Sequence, residues 1–326
     1  MQRGAGVTAR AAAPGIFETI ATAMSALMVQ PLPLVLPIVI DLYLWAGARL
    51  SPAAVAEPLR RWLLTAGNAD RSQLTGAIDA LDRLSRTGDL AAIVGWFLPS
   101  LLVDGGRPTG ATSWSRASVH PGSPWLTIGL TLALLLVGVW GAMAFGVVLA
   151  RLIRGRSLIG DRFVVASIQA TLRYLGFLAM IVLAVGAILV PTAVVGGVLL
   201  FFGVAAAPLL VAVLIVPVLA AYVCLAFVGD AIVVAEVGPV RACMLSYGVV
   251  RRNPWAAVGL LLVVIIATGA VAQLAIRVAG DVPGLMLAIA GYAFVATGLA
   301  LARMQFFYER LRRWRADLVP SPQPAK

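Results

Sequence analysis

This chain predicts an all-α, polytopic membrane helix bundle, and three observations predict it. The 326 residues are 61% hydrophobic and only 12% charged, with mean hydropathy +0.97. A soluble domain carries about 25% charged residues, and so little polar surface cannot cover so large an apolar core. Several apolar runs reach the ~20 residues that cross a bilayer as a helix. The net charge of +11 is carried almost wholly by arginine, with Lys326 the single lysine. The arginines cluster at the ends of apolar runs, where membrane orientation and anionic headgroups place them. That placement argues against a nucleic-acid partner.

Residues 1–13 are small and polar and predict disorder, without a cleavable signal peptide because Glu18 interrupts the apolar core. Ile16, Ile20, Met24, Leu27 and Met28 share a helical face, which predicts an amphipathic helix in the cytoplasmic interface. The alternative is the first part of a long spanning helix. Residues 32–50 form the first predicted span, with Tyr43 and Trp45 suited to an interfacial belt. Asp41 lies in it, either paired at membrane depth or near the outer surface in water.

Residues 51–123 read as a helical extracytoplasmic insert. Seven arginines face six acids, a net of +1. Ser51-Pro52 starts a helix ending near Gly67, a second is expected over 70–87 and a third over 89–103, and residues 104–124 are loop by composition. The second span is 125–150. Its small residues Gly138, Ala142, Gly146 and Ala150 recur every four positions and allow close helix approach, either within the chain or in a dimer seam. Arg151, Arg154, Arg156, Arg162 and Arg173 against Asp161 give the next segment +4. Spans are then expected at 174–201, 207–229, 254–277 and 283–304, with a turn near 202–207. Three helices in 174–229 would leave almost no connecting loops. Counting Arg303 among them, the tail carries six positive charges against two negative. Six spans with both termini inside put every arginine-rich segment on the cytoplasmic side.

The most polar interruption of the second half is 230–259, with Asp230, Glu236, Arg241, Arg251 and Arg252. Gly238-Pro239 stops one helix and starts another; Asn253-Pro254-Trp255 repeats the device, with Trp255 at interface depth. Glu236 is placed to pair with an arginine or a helix N-terminus. Asp41, Asp230 and Glu236 are the candidate intramembrane polar residues. Arg241, Arg251, Arg252 and Trp255 are the candidate contacts for anionic lipid or a partner. Ile232-Val233-Val234-Ala235-Glu236, Gly238-Pro239, Ala242, Ser246, Arg251/Arg252 and Trp255, with the tail Tyr308-Glu309-Arg310-Leu311-Arg312, carry a resemblance. They are similar to the glycerophosphoryl diester phosphodiesterase membrane-domain-like family of bacterial six-helix proteins, most sharply over 228–315. The resemblance implies a membrane domain without the soluble catalytic barrel, in a bacterial inner membrane.

Chemistry is sparse. His120 is the only histidine, and Cys224 and Cys243 lack metal or redox spacing. No catalytic, cofactor or metal residues are predicted. Ser246 lacks a neighbouring base and reads as a small packing residue. The expected function is a non-catalytic integral membrane protein engaging the lipid bilayer's anionic headgroups or a protein partner, including a second copy of itself. The alternative is a transporter or permease component, motivated by six spans, proline-broken helices and Asp41 and Asp230. A membrane-embedded hydrolase is disfavoured, because no GxSx-with-histidine or paired-aspartate pattern appears.

Overall fold

The computed structural model describes residues 14–65, 71–106, 116–201 and 207–318. The expectations for residues 1–13, the helix end near Gly67, the turn at 202–206 and the loop over 107–115 lie outside the described residues. In chain order the elements are α1 (Ile16–Val29), a 3-10 turn (Leu32–Leu34), α2 (Val35–Ala46), β1 (Arg49–Leu50), α3 (Ala53–Thr65) and α4 (Arg71–Thr87). They continue with α5 (Ala92–Gly95), α6 (Leu101–Asp104), β2 (Ser118–Val119), α7 (Pro124–Ile153), α8 (Phe163–Phe201) and α9 (Ala207–Leu225). Last come α10 (Val228–Ala235), α11 (Pro239–Arg252), α12 (Pro254–Val278) and α13 (Val282–Leu318). The protein is an all-α bundle. Spans in α7, α8, α9 with α10, α12 and α13 are long and apolar enough to cross a membrane, and α1 with α2 makes a sixth if the bent pair is one span.

That first span differs from expectation. Alone, α2 has 12 residues, about 18 Å of helix against a hydrocarbon core of about 30 Å. Pro31 and Pro33 lack the N–H that would continue a helix, and the chain turns by 91° between α1 and α2. α1 is not free on all sides: it packs one face on protein while Phe17, Met28 and Val29 stay exposed. It runs antiparallel along α13, with Met24 against Gly298 and the Pro14 carbonyl accepting from Arg310 at 3.5 Å. Ala23 and Leu27 are fully buried. Most of the apolar face found by periodicity packs on protein, with Met28 at its edge left exposed.

The small-residue stripe of α7 is consumed within the chain. Gly138 receives Val94 and Phe97, Gly141 receives Leu98, and Gly146 receives Val233. Gly138 lies 14 residues along α7, so the segment around α5 reaches about 21 Å down that helix from its start. The single helix expected over 89–103 is instead two short pieces, α5 and α6, separated at Pro99.

The rest of the insert is tied by a polar knot beside the start of α7. β1 and β2 pair in parallel, Arg49 with Ser118 and Leu50 with Val119. Arg116 donates to the Gly47 carbonyl at 2.6 Å and pairs with Asp89 at 2.8 Å, the two side chains being 7% and 2% exposed. Asp89 also accepts from the Leu50 and Ala91 amides. This parallel bridge between loop segments carries no sequence periodicity.

At the opposite end, α13 continues without a break through the basic tail to Leu318. Its Trp314 covers Gly248 of α11. Phe227, Phe306 and Phe307 are fully buried and stack, with ring centroids 5.8 and 6.2 Å apart.

Candidate functional site

The site is built around a helix break. α9 ends at Leu225 and α10 starts at Val228, with Phe227 between them locked under α13. A break frees backbone carbonyls that the bilayer interior cannot hydrate. The Ser246 hydroxyl donates to one of them, the Cys224 carbonyl, at 2.6 Å. Ser246 is therefore more than a small packing residue.

Restarting the helix puts Asp230 in the first turn of α10, where a negative charge meets the positive end of the helix dipole. Asp230 is 2% exposed and accepts from Arg303 Nε at 2.9 Å and Nη2 at 3.1 Å. Arg303 therefore does not belong to the solvated basic tail. Its side chain is 36% exposed, and it lines a cavity inside the bundle.

That cavity has a volume of about 430 Å³ and is walled by α7, α8, α10, α12 and α13, with Trp96–Pro99 at one end. Met143, Phe177, Val264, Ala300 and Met304 make much of its wall apolar. Polar groups gather toward its two ends. Tyr174, Asp230 and Arg303 lie at the α11 end; Asp104 and Tyr292 lie toward the insert, the Tyr292 hydroxyl donating to the Asp104 carboxylate.

Asp41 is fully buried and does not reach water. It accepts from Ser100 Oγ at 2.6 Å and from the Leu101 and Leu102 amides at 2.9 and 3.3 Å. It thus caps α6 from a different helix, satisfying amides that a helix start leaves free. Glu236 is the third candidate intramembrane acid, and it pairs with an arginine, one of the two partners expected for it. Its side chain is 66% exposed and pairs with Arg154 at 3.0 Å. It sits just past the end of α10 with φ 55°, the left-handed turn that stops the helix. Arg154 also donates to the Val234 carbonyl, closing the end of α10.

The candidate contact residues share the α11 end. α11 buries Ala242, Ser246, Val249 and Val250 and presents Val240, Arg241, Met244, Tyr247, Arg251 and Arg252 outward. Arg252 stacks over the Trp314 ring at 4.4 Å, and Trp255 is 87% exposed. Asn253 precedes Pro254 as expected, but its side chain accepts no capping bond. Between α7, α8 and the end of α10, a pocket of about 100 Å³ is lined by Arg151, Arg154, Arg156, Arg173 and Glu236. Arg156 and Arg173 have no side-chain partner among the described residues. On the inner side of α11, burial pushes the Cys243 thiol above its ordinary value. Among the described residues no group of three His, Cys, Asp or Glu is placed to hold a metal ion.

The Asp230–Arg303 pair escaped sequence reasoning because 73 residues separate its members. The one available signal was an arginine inside the apolar part of α13 with an acid elsewhere at comparable depth.

No curated protein and no solved structure matches the chain. A family model does match, over residues 78–307, from α4 through most of α13. Those 230 of the 326 residues place this multi-pass membrane chain in the family described as a domain of unknown function, DUF7847.

Proposed function

We propose that this protein is a non-catalytic component of a bacterial cytoplasmic membrane, with both termini inside, that engages anionic lipid headgroups through the arginine-rich end of its bundle. The observation that carries the reading is the outward face of α11. Met244 and Tyr247 are exposed between Arg241 and Arg251, Val240 is exposed just before Arg241, and Trp255 is exposed just after Arg252. Apolar groups flanked by arginines suit a helix lying in a headgroup layer. The partly unpaired arginine pocket between α7, α8 and the end of α10 adds positive potential that favours anionic lipid. A relation to the phosphodiesterase membrane-domain family is part of this proposal and rests on the residues quoted for it.

The test is lipid selection. The full chain is placed in nanodiscs of mixed phosphatidylglycerol and phosphatidylcholine, and co-isolated lipids are counted by native mass spectrometry. Arg251→Glu with Arg252→Glu is expected to lower anionic-lipid enrichment severalfold. An unchanged lipid ratio in that variant removes the main support for the proposal.

A further inference from the structure

The cavity between α7, α8, α10, α12 and α13 is separate from the α11 face. We infer that it binds a single-chain amphiphile with an oxyanion head, the head on Arg303 and the chain along the apolar wall toward Phe97.

Size comes first. About 430 Å³ falls within the ~300–1,000 Å³ of small-molecule sites. Along α13 the cavity extends from Tyr292 to Met304, about 18 Å of helix. That is a little over half of the ~30 Å hydrocarbon core, the length scale of one acyl chain in one leaflet.

Chemistry sets the polarity. Guanidinium has five N–H donors, and Asp230 engages only Nε and one bond from Nη2. The remaining donors meet no acceptor among the described residues, and the side chain's open surface borders the cavity. A pair serving packing alone would close over both partners, yet Asp230 is 2% exposed and Arg303 36%. A cation entering here finds the Asp230 oxygens already used and sealed. An anion finds free donors, with the Tyr174 side chain also in the wall. Oxyanions bind guanidinium through charge-assisted bonds that strengthen away from water. At the far end Asp104 repels a second anion, so the head has one favoured end.

Access fits a ligand arriving from the bilayer. Among the described residues the walls α8 and α12 scarcely touch each other, whereas α7 with α8 and α12 with α13 pack closely. Val182 and Leu183 on α8 and Ile265 and Ile266 on α12 are exposed apolar surface, so the loosest seam of the cavity wall faces hydrocarbon. Carboxylate and phosphate heads share this chemistry, and competition separates them.

The full chain in phosphatidylcholine nanodiscs is photolabelled with a diazirine fatty acid. Label is expected on peptides carrying Met143, Phe177 and Met304. Palmitate or a hexadecyl phosphate at about ten times its dissociation constant is expected to reduce it by about tenfold by mass action, while methyl palmitate at the same concentration does not. Whichever acid competes better identifies the head as carboxylate or phosphate, and either result supports the site. Equal competition by the methyl ester overturns the role of Arg303. Label spread over exposed faces of α8 and α12 without competition overturns the site itself. Ala300→Phe narrows the cavity without touching the ion pair and is expected to abolish competable labelling; retention of that labelling also overturns the proposal. Asp230→Asn with Arg303→Gln is expected to remove the preference for acid over ester. If that double variant fails to fold, the wild-type competition series and Ala300→Phe still decide.

Discussion

Asp41 and Asp230 are both buried acids, and they meet the cost of leaving water by different routes. Asp41 accepts three hydrogen bonds from the start of α6 and has no basic partner among the hydrogen bonds it accepts. Asp230 has a bidentate arginine. Replacing Asp41 by Ala leaves two buried amides unsatisfied, each costing about 1–3 kcal/mol. We expect a loss of about 2–4 kcal/mol in detergent unfolding, with Ser100→Ala losing less; equal, small losses would contradict the capping role. In the insert, Arg116 and Asp89 are nearly enclosed. Removing one partner of such a pair costs about 3–5 kcal/mol, so Arg116→Ala is expected to expose the β1–β2 region to limited proteolysis while the spans remain helical by circular dichroism. Cys243 offers a gentler probe. Its thiol is raised by burial, so thiolate is scarcer than for a free cysteine at neutral pH. Maleimide labelling should be slower than for glutathione at pH 7.5 and should quicken as pH rises through the alkaline range.

At the scale of elements, proline marked most of the boundaries that sequence could reveal. α11 starts at Pro239 and α12 at Pro254, as the Gly-Pro and Asn-Pro pairs predict, because their order follows from local backbone chemistry. The exception is α1. Its periodic apolar face is equally good for a headgroup layer or for another helix, and only the contact between Met24 and Gly298 decides. Ala23→Trp therefore separates the two situations. Against α13 it overpacks a closed site and should cost about 1–3 kcal/mol in thermal unfolding, whereas a surface helix would tolerate it. The same limit explains Arg303. Hydropathy registers it as a charge near the end of a span; its meaning depends on Asp230, which the chain brings alongside through a helix break held by Phe227 and Ser246. For Glu236 the sequence pointed to an arginine partner but not to which one, since Arg154 lies 82 residues away.

For the whole molecule, the two ends of the bundle differ sharply. One carries the near-neutral insert; the other carries α11, the arginine pocket and the basic stretch of α13. With the arginine-rich end inside, a C-terminal fluorescent fusion should light up in the cytoplasm and a C-terminal alkaline phosphatase fusion should stay inactive; the reverse pattern would invert the proposed orientation. Between those ends the spans are unequal. Residues 174–201 of α8 are 28 consecutive uncharged residues, about 42 Å of helix in a hydrocarbon layer of about 30 Å. Their described side chains from Val182 to Val195 are largely open rather than packed on the bundle. Such a segment relieves hydrophobic mismatch by leaning over or by thickening the lipid around it. α8 also forms one wall of the cavity, so the lean that matches it to the lipid is a property of that wall as well.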